Sequence, residues 1–110
     1  MAYDEELGRR IRELLAGDKD VTEMKMFGGL AFLVGGNMAI AASGQGGAMV
    51  RVDPADAERL VETTNAEMMV MRGKSMPGWL RVSAGSIDTK ADLRKWVQRG
   101  TGYARSLPAK

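Results

Sequence analysis

The residue types that most often carry enzyme chemistry are missing from this chain. Its 110 residues include no histidine and no cysteine, so the commonest general base, the commonest metal ligand and the thiol nucleophile are all absent. Disulfides and zinc sites built from Cys and His are therefore excluded. Groups of Asp or Glu could still bind magnesium or act as a catalytic pair, so an enzyme or a small-ligand carrier stays open as a third possibility.

The remaining reactive groups have structural explanations. The serines lack a histidine to activate them, and no Ser-x-x-Lys pair occurs in the sequence. Asp53, Asp56, Asp88 and Asp92 precede or begin predicted helices, where carboxylates cap the first turn and interact favourably with the helix dipole. We therefore predict no catalytic residue, no cofactor and no metal.

The paired glycines at 28–29 and 35–36 suggest a phosphate-binding loop, but their context argues against one. A P-loop continues with Lys and then Ser or Thr, whereas Asn37 and Met38 follow here. The dinucleotide fingerprint needs a helix after its glycines, and a strand-like sequence follows these. The glycines are predicted to form turns.

Charge is distributed unevenly along the chain. Residues 1–71 hold seven Lys/Arg and twelve Asp/Glu, whereas residues 72–110 hold nine Lys/Arg and two acids, for a net charge of +2. The basic set comprises Arg72, Lys74, Arg81, Lys90, Arg94, Lys95, Arg99, Arg105 and Lys110. These residues either form a solvated helix face or contact an acidic partner or nucleic acid phosphates. No recognition helix with Asn, Gln and Arg clustered at its start and no aromatic platform for single strands is evident.

The hydrophobic periodicity predicts three helices and six strands that position these residues. The helices are predicted at residues 5–16, 54–64 and from 89 to just before 108; the strands at 24–27, 30–34, 38–43, 48–52, 67–71 and 79–83. Short glycine-rich connections favour antiparallel neighbours. We therefore predict one α+β domain over residues 1–110, with helices packed on an antiparallel sheet.

Two further expectations concern the surroundings of the chain. Several strands are apolar on both faces, and three short helices leave part of a six-stranded sheet uncovered, so a homodimer is expected. The longest apolar run, residues 30–34, is far too short to span a bilayer, and the N-terminus is acidic, unlike a signal peptide. A cytoplasmic location with no membrane contact is expected.

One motif resembles a known family. Residues 25–32 read Lys-Met-Phe-Gly-Gly-Leu-Ala-Phe, and Gly-Asn-Met follows at 36–38, Met-Val-Arg-Val at 49–52 and Pro-Gly-Trp at 77–79. With its first seven residues and its ending at 96–108, nearly the whole chain is similar to the N-terminal domain of the TfoX (Sxy) family.

The resemblance implies a non-enzymatic bacterial regulatory domain with a compact fold akin to secretion-chaperone-like domains. In the best-known members it implies a role in competence gene expression alongside a catabolite-activator-type transcription factor. Those members carry a second, helical C-terminal domain. The chain ends at Lys110, so it resembles a stand-alone single-domain member, and the resemblance supplies no catalytic residues.

Taken together, these features predict a regulatory protein-interaction domain that is not an enzyme, linked to transcription or competence regulation. Its expected partner is a protein, with a transcription factor as one candidate. Nucleic-acid binding through a basic C-terminal face is the first alternative. The candidate partner-contact residues are Lys25, Met26, Phe27, Gly28, Gly29, Arg94, Lys95, Arg99 and Arg105.

Overall fold

A computed structural model describes residues 4–26, 28–44, 46–71 and 73–109. Within these ranges the chain forms three α-helices, six strands and one short 3-10 helix. In chain order these are α1 Glu5–Leu14, β1 Val21–Met26, β2 Gly29–Val34, β3 Asn37–Ala42, β4 Ala48–Arg51, α2 Pro54–Thr63, β5 Glu67–Met71, β6 Lys74–Val82, the 3-10 helix Ala84–Ile87 and α3 Lys90–Ser106. The predicted element order is confirmed, apart from the 3-10 helix.

All six strands form one sheet in the order β1-β2-β3-β4-β6-β5, with every neighbouring pair antiparallel. The first four strands are a meander, because each connection is a short turn. β6 then inserts between β4 and β5. The predicted α+β class with a six-stranded antiparallel sheet is therefore confirmed.

The helices cover one face of this sheet. Alternation along β2 directs Leu30 and Phe32 towards the helices and Ala31 and Leu33 away from them. The main core lies between the sheet and the helices, and its largest fully buried side chains are Ile11, Phe32, Ile40, Val50, Leu80, Val82, Ile87 and Leu93. None of the described helices combines the length and the apolar character that crossing a bilayer requires.

The opposite face carries a smaller apolar cluster made only of strand residues. Ala31 and Ala41 are almost fully buried there, and Met38 and Met49 pack over them. Small side chains beneath long methionines leave little apolar surface bare in the middle of this face. The large apolar residue that stays exposed there is Met24 on β1, at 53%.

Several predicted boundaries differ from the structure. β1 begins at Val21, because Val21 and Thr22 already pair with Val34 and Leu33. β6 begins at Lys74, whereas the sequence predicted this strand only over residues 79–83, with Pro77 and Gly78 before it.

That error has a physical cause. The β5–β6 register shifts between Met68 and Val70, so the extra residues of β6 bulge out and place Gly78 at a φ of 83°. The bulge stays connected to the sheet, because the Gly78 carbonyl accepts the Val52 N–H at 2.7 Å.

Three of the four acids that were predicted to cap or begin helices do so. Asp53 caps α2 by accepting from Ala55 N–H, and Asp56 and Asp92 lie in the first turns of α2 and α3. Asp88 was interpreted in the same way, but the residue that caps α3 is Thr89, which accepts from Asp92 N–H. Asp88 instead ends the 3-10 helix, and its carbonyl accepts a hydrogen bond from Arg10 on α1.

Gly100 allows α3 to lie directly against the sheet. A Cβ at this position would come within 2.3 Å of the Ala39 carbonyl oxygen and 2.9 Å of its carbon. Both atoms belong to the backbone, so they cannot rotate away as a side chain would. A side chain at this position would therefore push α3 away from β3.

We expect Gly100→Ala to lower the free energy of unfolding by about 2–3 kcal/mol, because overpacking displaces the helix from the sheet. Gly102→Ala on the same helix is the matched control, since a Cβ added there would have no atom within 4 Å. It should raise stability by about 1 kcal/mol through helix propensity. Urea unfolding measures both, and equal effects at the two positions would contradict this packing.

Candidate functional site

The solvent side of α3 carries four exposed basic residues: Lys90, Arg94, Lys95 and Arg105. The helix buries Leu93, Val97 and Ala104 against the sheet, which turns Arg94 and Lys95 outwards. Among the described residues neither Arg94 nor Lys95 has a carboxylate partner. These two cations are therefore exposed to solvent, and their predicted contact with a partner remains a prediction.

Arg99 is placed differently from its basic neighbours. Its guanidinium lies 4.5 Å from the centroid of the Trp96 ring, and the side chain is half-buried. A guanidinium over an aromatic face is attracted by the ring quadrupole and loses part of its mobility. Trp96 itself is buried in the core, so Arg99 is held in place by the packed interior.

A second arginine is held between two aromatic rings. Arg51, at the end of β4, lies 5.3 Å from the Trp79 ring centroid and 5.7 Å from that of Tyr103. Trp79 is the residue paired with Arg51 in the β4–β6 register, and Tyr103 projects from α3. All three side chains are half-buried, and among the described ion pairs none includes Arg51.

These residues form a continuous patch, which we call the arginine–aromatic surface: Arg51, Trp79, Arg99 and Tyr103. Tyr103 joins its two halves, because it follows Arg99 by four residues on α3 and so lies on the same side of that helix. Half-buried Arg, Trp and Tyr side chains are the types that contribute most to protein interfaces.

An open groove of 370 Å³ adjoins this surface, between α2 and α3. Arg99 and Tyr103 line it on one side and Asp53, Asp56 and Arg59 on the other. The acids already have partners, because Asp53 caps α2 and Asp56 pairs with Arg59 at 3.1 Å. No unpaired carboxylate therefore converges on this groove from the residues that line it.

Arg105 has a structural role that separates it from Arg94 and Lys95. It bridges the end of α3 to the segment before β1 by ion pairs of 3.1 Å to both Asp18 and Asp20. Its hydrogen bond is the main cause of a pKa for the Asp20 carboxyl below the ordinary value, and the two aspartates raise the pKa of Arg105. Its predicted contact with a partner remains a prediction.

The other candidate residues lie on the β1–β2 hairpin. Lys25 is exposed on β1, Met26 ends that strand, and Phe27 falls outside the described residues. Gly28 makes the turn with a φ of 74°, and Gly29 begins β2 so close to the Ala42 carbonyl that a Cβ would lie 2.4 Å from its oxygen. Both glycines are thus explained by backbone geometry.

The structure keeps these two groups of candidates separate. Among the described residues no hydrogen bond or ion pair connects residues 25–29 with the basic residues of α3. Two further shallow grooves flank α1: one of 290 Å³ beside Lys90 of α3 and one of 430 Å³ beside β1. Within the described ranges no group of three acidic residues is arranged to hold a metal ion, and no buried side-chain polar atom lacks a hydrogen bond.

Comparison with protein families gives one match. The model of the TfoX N-terminal domain matches residues 13–104, which is most of the chain. The chain belongs to the TfoX N-terminal domain family. The matched segment of this TfoX domain contains β1 to β6 and most of α3, including the whole arginine–aromatic surface. Searches of curated proteins and of solved structures found no match.

Arg51, Trp79 and Tyr103 were not among the candidate residues predicted from the sequence of this TfoX domain. Arg51 and Trp79 were noted only within the family motifs at 49–52 and 77–79. One signal was available, because Arg51 follows the buried Val50 in an alternating strand and so occupies the less buried side. Its two aromatic neighbours, however, come from distant segments.

The Arg105 ion pairs lead to a pH-dependent prediction for this TfoX domain. Because the pKa of Asp20 is lowered in the folded state, its pairing with Arg105 stabilises the fold at pH values above the ordinary aspartate pKa of about 4. This stabilisation is lost as the pH falls through the lowered pKa of Asp20. Arg105→Gln should therefore unfold at a lower temperature than the wild type at pH 7. The difference should narrow as the pH falls below about 4.

Arg94→Gln is the control, since the exposed Arg94 on the same helix has no carboxylate partner among the described residues. It should unfold at nearly the wild-type temperature throughout. Thermal unfolding followed by circular dichroism at several pH values makes the measurement. A difference for Arg105→Gln that stays constant from neutral to acidic pH would contradict a role for Asp20.

Proposed function

We propose that this chain is a non-enzymatic regulatory domain that binds a partner protein through the arginine–aromatic surface. Membership of the TfoX N-terminal domain family supports the regulatory role, with competence or transcription as the regulated process. The observation that carries the proposal is the position of Arg51. Its guanidinium is held by two rings, yet no described carboxylate pairs with it.

The energetics of such an arginine favour a binding role. The rings already restrict the guanidinium, so little additional conformational entropy is lost when a partner binds it. Half-burial also weakens solvent screening, so a carboxylate of the partner gains more here than at a fully exposed lysine. The partner surface that fits is therefore acidic at its centre, with an apolar rim against Trp79 and Tyr103.

The state of the carboxylates supports a non-enzymatic role. Arg12 binds Glu23, Arg9 binds both Glu6 and Glu13, and Arg105 binds two aspartates. Acids that are engaged in this way are poor candidates for proton transfer, and the sequence has no histidine or cysteine to replace them. The grooves lined by the described residues are open and shallow, whereas most small-molecule sites enclose their ligand.

The partner-binding proposal predicts that Arg51→Ala and Arg99→Ala together abolish capture of one specific protein. Each substitution should weaken binding by about tenfold, as expected for arginines at the centre of an interface. The tagged domain is used to capture proteins from its native host, and the captured protein is then purified and titrated by calorimetry. Circular dichroism must show that the variant remains folded.

Arg9→Gln is the matched control for this experiment. It also removes one arginine, but from the outer face of α1, where Arg9 is occupied by Glu6 and Glu13. The control should bind the partner with wild-type affinity. If every captured protein binds the double variant as tightly as the control, the arginine–aromatic surface is not the binding site.

Nucleic-acid binding is the second candidate, and the exposed cations of α3 are the observation that favours it. Arg94, Lys95 and Gln98 are exposed on α3, and the half-buried Arg99 lies about one turn after Lys95. Arginine and lysine side chains of this kind can contact the phosphates of a duplex. In this case binding should depend strongly on salt, because phosphate contacts release counterions.

For this candidate, we expect a fluorescent DNA duplex to bind at low salt and to dissociate as salt is raised. The double variant Arg94→Glu, Arg99→Glu should then bind more weakly. The slope of the logarithm of the binding constant against the logarithm of the salt concentration should decrease by about 1 for each lost phosphate contact. Fluorescence anisotropy measures both. Absence of binding to DNA and RNA at low salt would exclude this candidate and leave the protein partner.

A further inference from the structure

β1 is an edge strand whose outer side pairs with no other described strand. The sheet order begins with β1, which bonds only to β2. Its residues Thr22, Glu23, Met24 and Lys25 are all exposed. An uncovered edge of this kind is a template on which another strand can add.

The hydrogen-bond pattern shows which backbone groups point outwards. Gly35 N–H donates to the Asp20 carbonyl, and Met26 pairs with Gly29 across the tight turn, so the even-numbered residues bond to β2. In a strand the N–H and C=O of one residue point to the same side, and successive residues alternate. Val21, Glu23 and Lys25 therefore present their backbone groups to the open edge.

A second copy of β1 can pair with this edge in four registers whose two-fold axis lies on one of residues 22 to 25, within β1. Antiparallel pairing about a two-fold axis requires outward-facing residues to meet one another. Centring the axis on Glu23 or on Lys25 places like charges opposite each other, and centring it on Thr22 places Lys25 opposite Lys19. Centring it on Met24 places Glu23 of each copy opposite Lys25 of the other copy, which gives two pairs of opposite charge.

The same register also covers the exposed methionine. With the axis at Met24, the two Met24 residues form the central non-hydrogen-bonded pair, in which side chains approach most closely. Met24 points to the helix-free side of the sheet, because it pairs with Ala31. Ala31, Leu33 and Ala41 on that side are already buried beneath Met38 and Met49, so the apolar surface that needs a partner lies at this edge.

We propose that two copies of this chain pair through β1, antiparallel and centred on Met24, to form one continuous twelve-stranded sheet. This inference does not depend on the proposed partner surface, which lies on α3, β4 and β6. It gives the expected homodimer a definite interface, at the edge of the sheet instead of its helix-free face. It also assigns Lys25, a candidate contact residue, to the second copy.

The ion pair between Glu23 and Arg12 is compatible with this arrangement. Arg12 donates to both carboxylate oxygens of Glu23 at 2.7 and 2.8 Å, which lowers the pKa of Glu23 and keeps it charged. A carboxylate has about four acceptor positions, so two remain for Lys25 of the other copy. The other edge strand, β5, offers no such complementarity, because Glu67 is its only charged residue.

The first test exchanges the charges. Lys25→Glu and Glu23→Lys should each weaken dimerisation by about tenfold or more, because two attractive pairs become repulsive. An equimolar mixture of the two variants should form a heterodimer, since every cross-strand pair is then of opposite charge. Native mass spectrometry of the mixture and sedimentation equilibrium of each protein give the populations.

Lys95→Glu is the control, because it makes the same change of charge on an exposed residue of α3. It should dimerise like the wild type. A wild type that stays monomeric at its highest soluble concentration would overturn the proposal. So would a Lys25→Glu variant that dimerises as tightly as the wild type, or a mixture without preference for the heterodimer.

The second test uses the absence of cysteine from the chain. In a non-hydrogen-bonded pair the Cα atoms are about 4.5 Å apart, within the range that a disulfide spans. Met24→Cys should therefore form a covalent dimer on mild oxidation, and adding Lys25→Glu should slow the reaction. Val70→Cys, at a position 60% exposed on β5, is the control, and equal rates at the two positions would overturn the proposal.

Discussion

The close contact of α3 with the sheet at Gly100 is the constraint on which the proposed binding surface depends. Without a Cβ at this position, the helix axis lies near enough to β3 for Val97 and Ala104 to be buried. The same approach brings Tyr103 within 5.7 Å of the Arg51 guanidinium. A helix displaced by even one methyl group would carry Tyr103 away from β4, so a packing requirement in the core determines the geometry of a cation–π contact at the surface.

The second determinant is the insertion of β6 between β4 and β5. This non-sequential order places Trp79 beside Arg51, although the two residues lie 28 positions apart. β5 and β6 are consecutive strands that pair with each other, as in an ordinary hairpin. The strand that pairs with β4, however, is β6 and not β5. β4 is only four residues long, and its pairing with β6 completes the sheet under α2. Strand order thus places the Trp79 ring beside Arg51, and the packing of α3 on the sheet places the Tyr103 ring there.

Much of the fold was predictable because its signals are local. The helical stripes, the cap at Asp53 and the glycine turns each depend on a few neighbouring residues, and the structure has them where the sequence predicted. The start of β6 was wrong because Pro77 and Gly78 usually mark a loop, whereas here they occupy a bulge held by Val52 N–H. Arg51 was missed for a different reason, because its neighbours are set by strand order and helix packing, which no local pattern contains.

The uneven charge of the sequence has two physical roles in the structure. Some basic residues bind the acidic N-terminal part to the rest of the fold: Arg105 bridges to Asp18 and Asp20, and Arg12 binds Glu23. These exposed pairs each contribute little to stability, but they join α1 and α3 to the segment around β1 and so orient the edge strand. Other cations on α3 or beside it pair with no described acid: Arg51, Arg94, Lys95 and Arg99. Because the internal ion pairs are made by other arginines, these four cations stay available to an acidic partner.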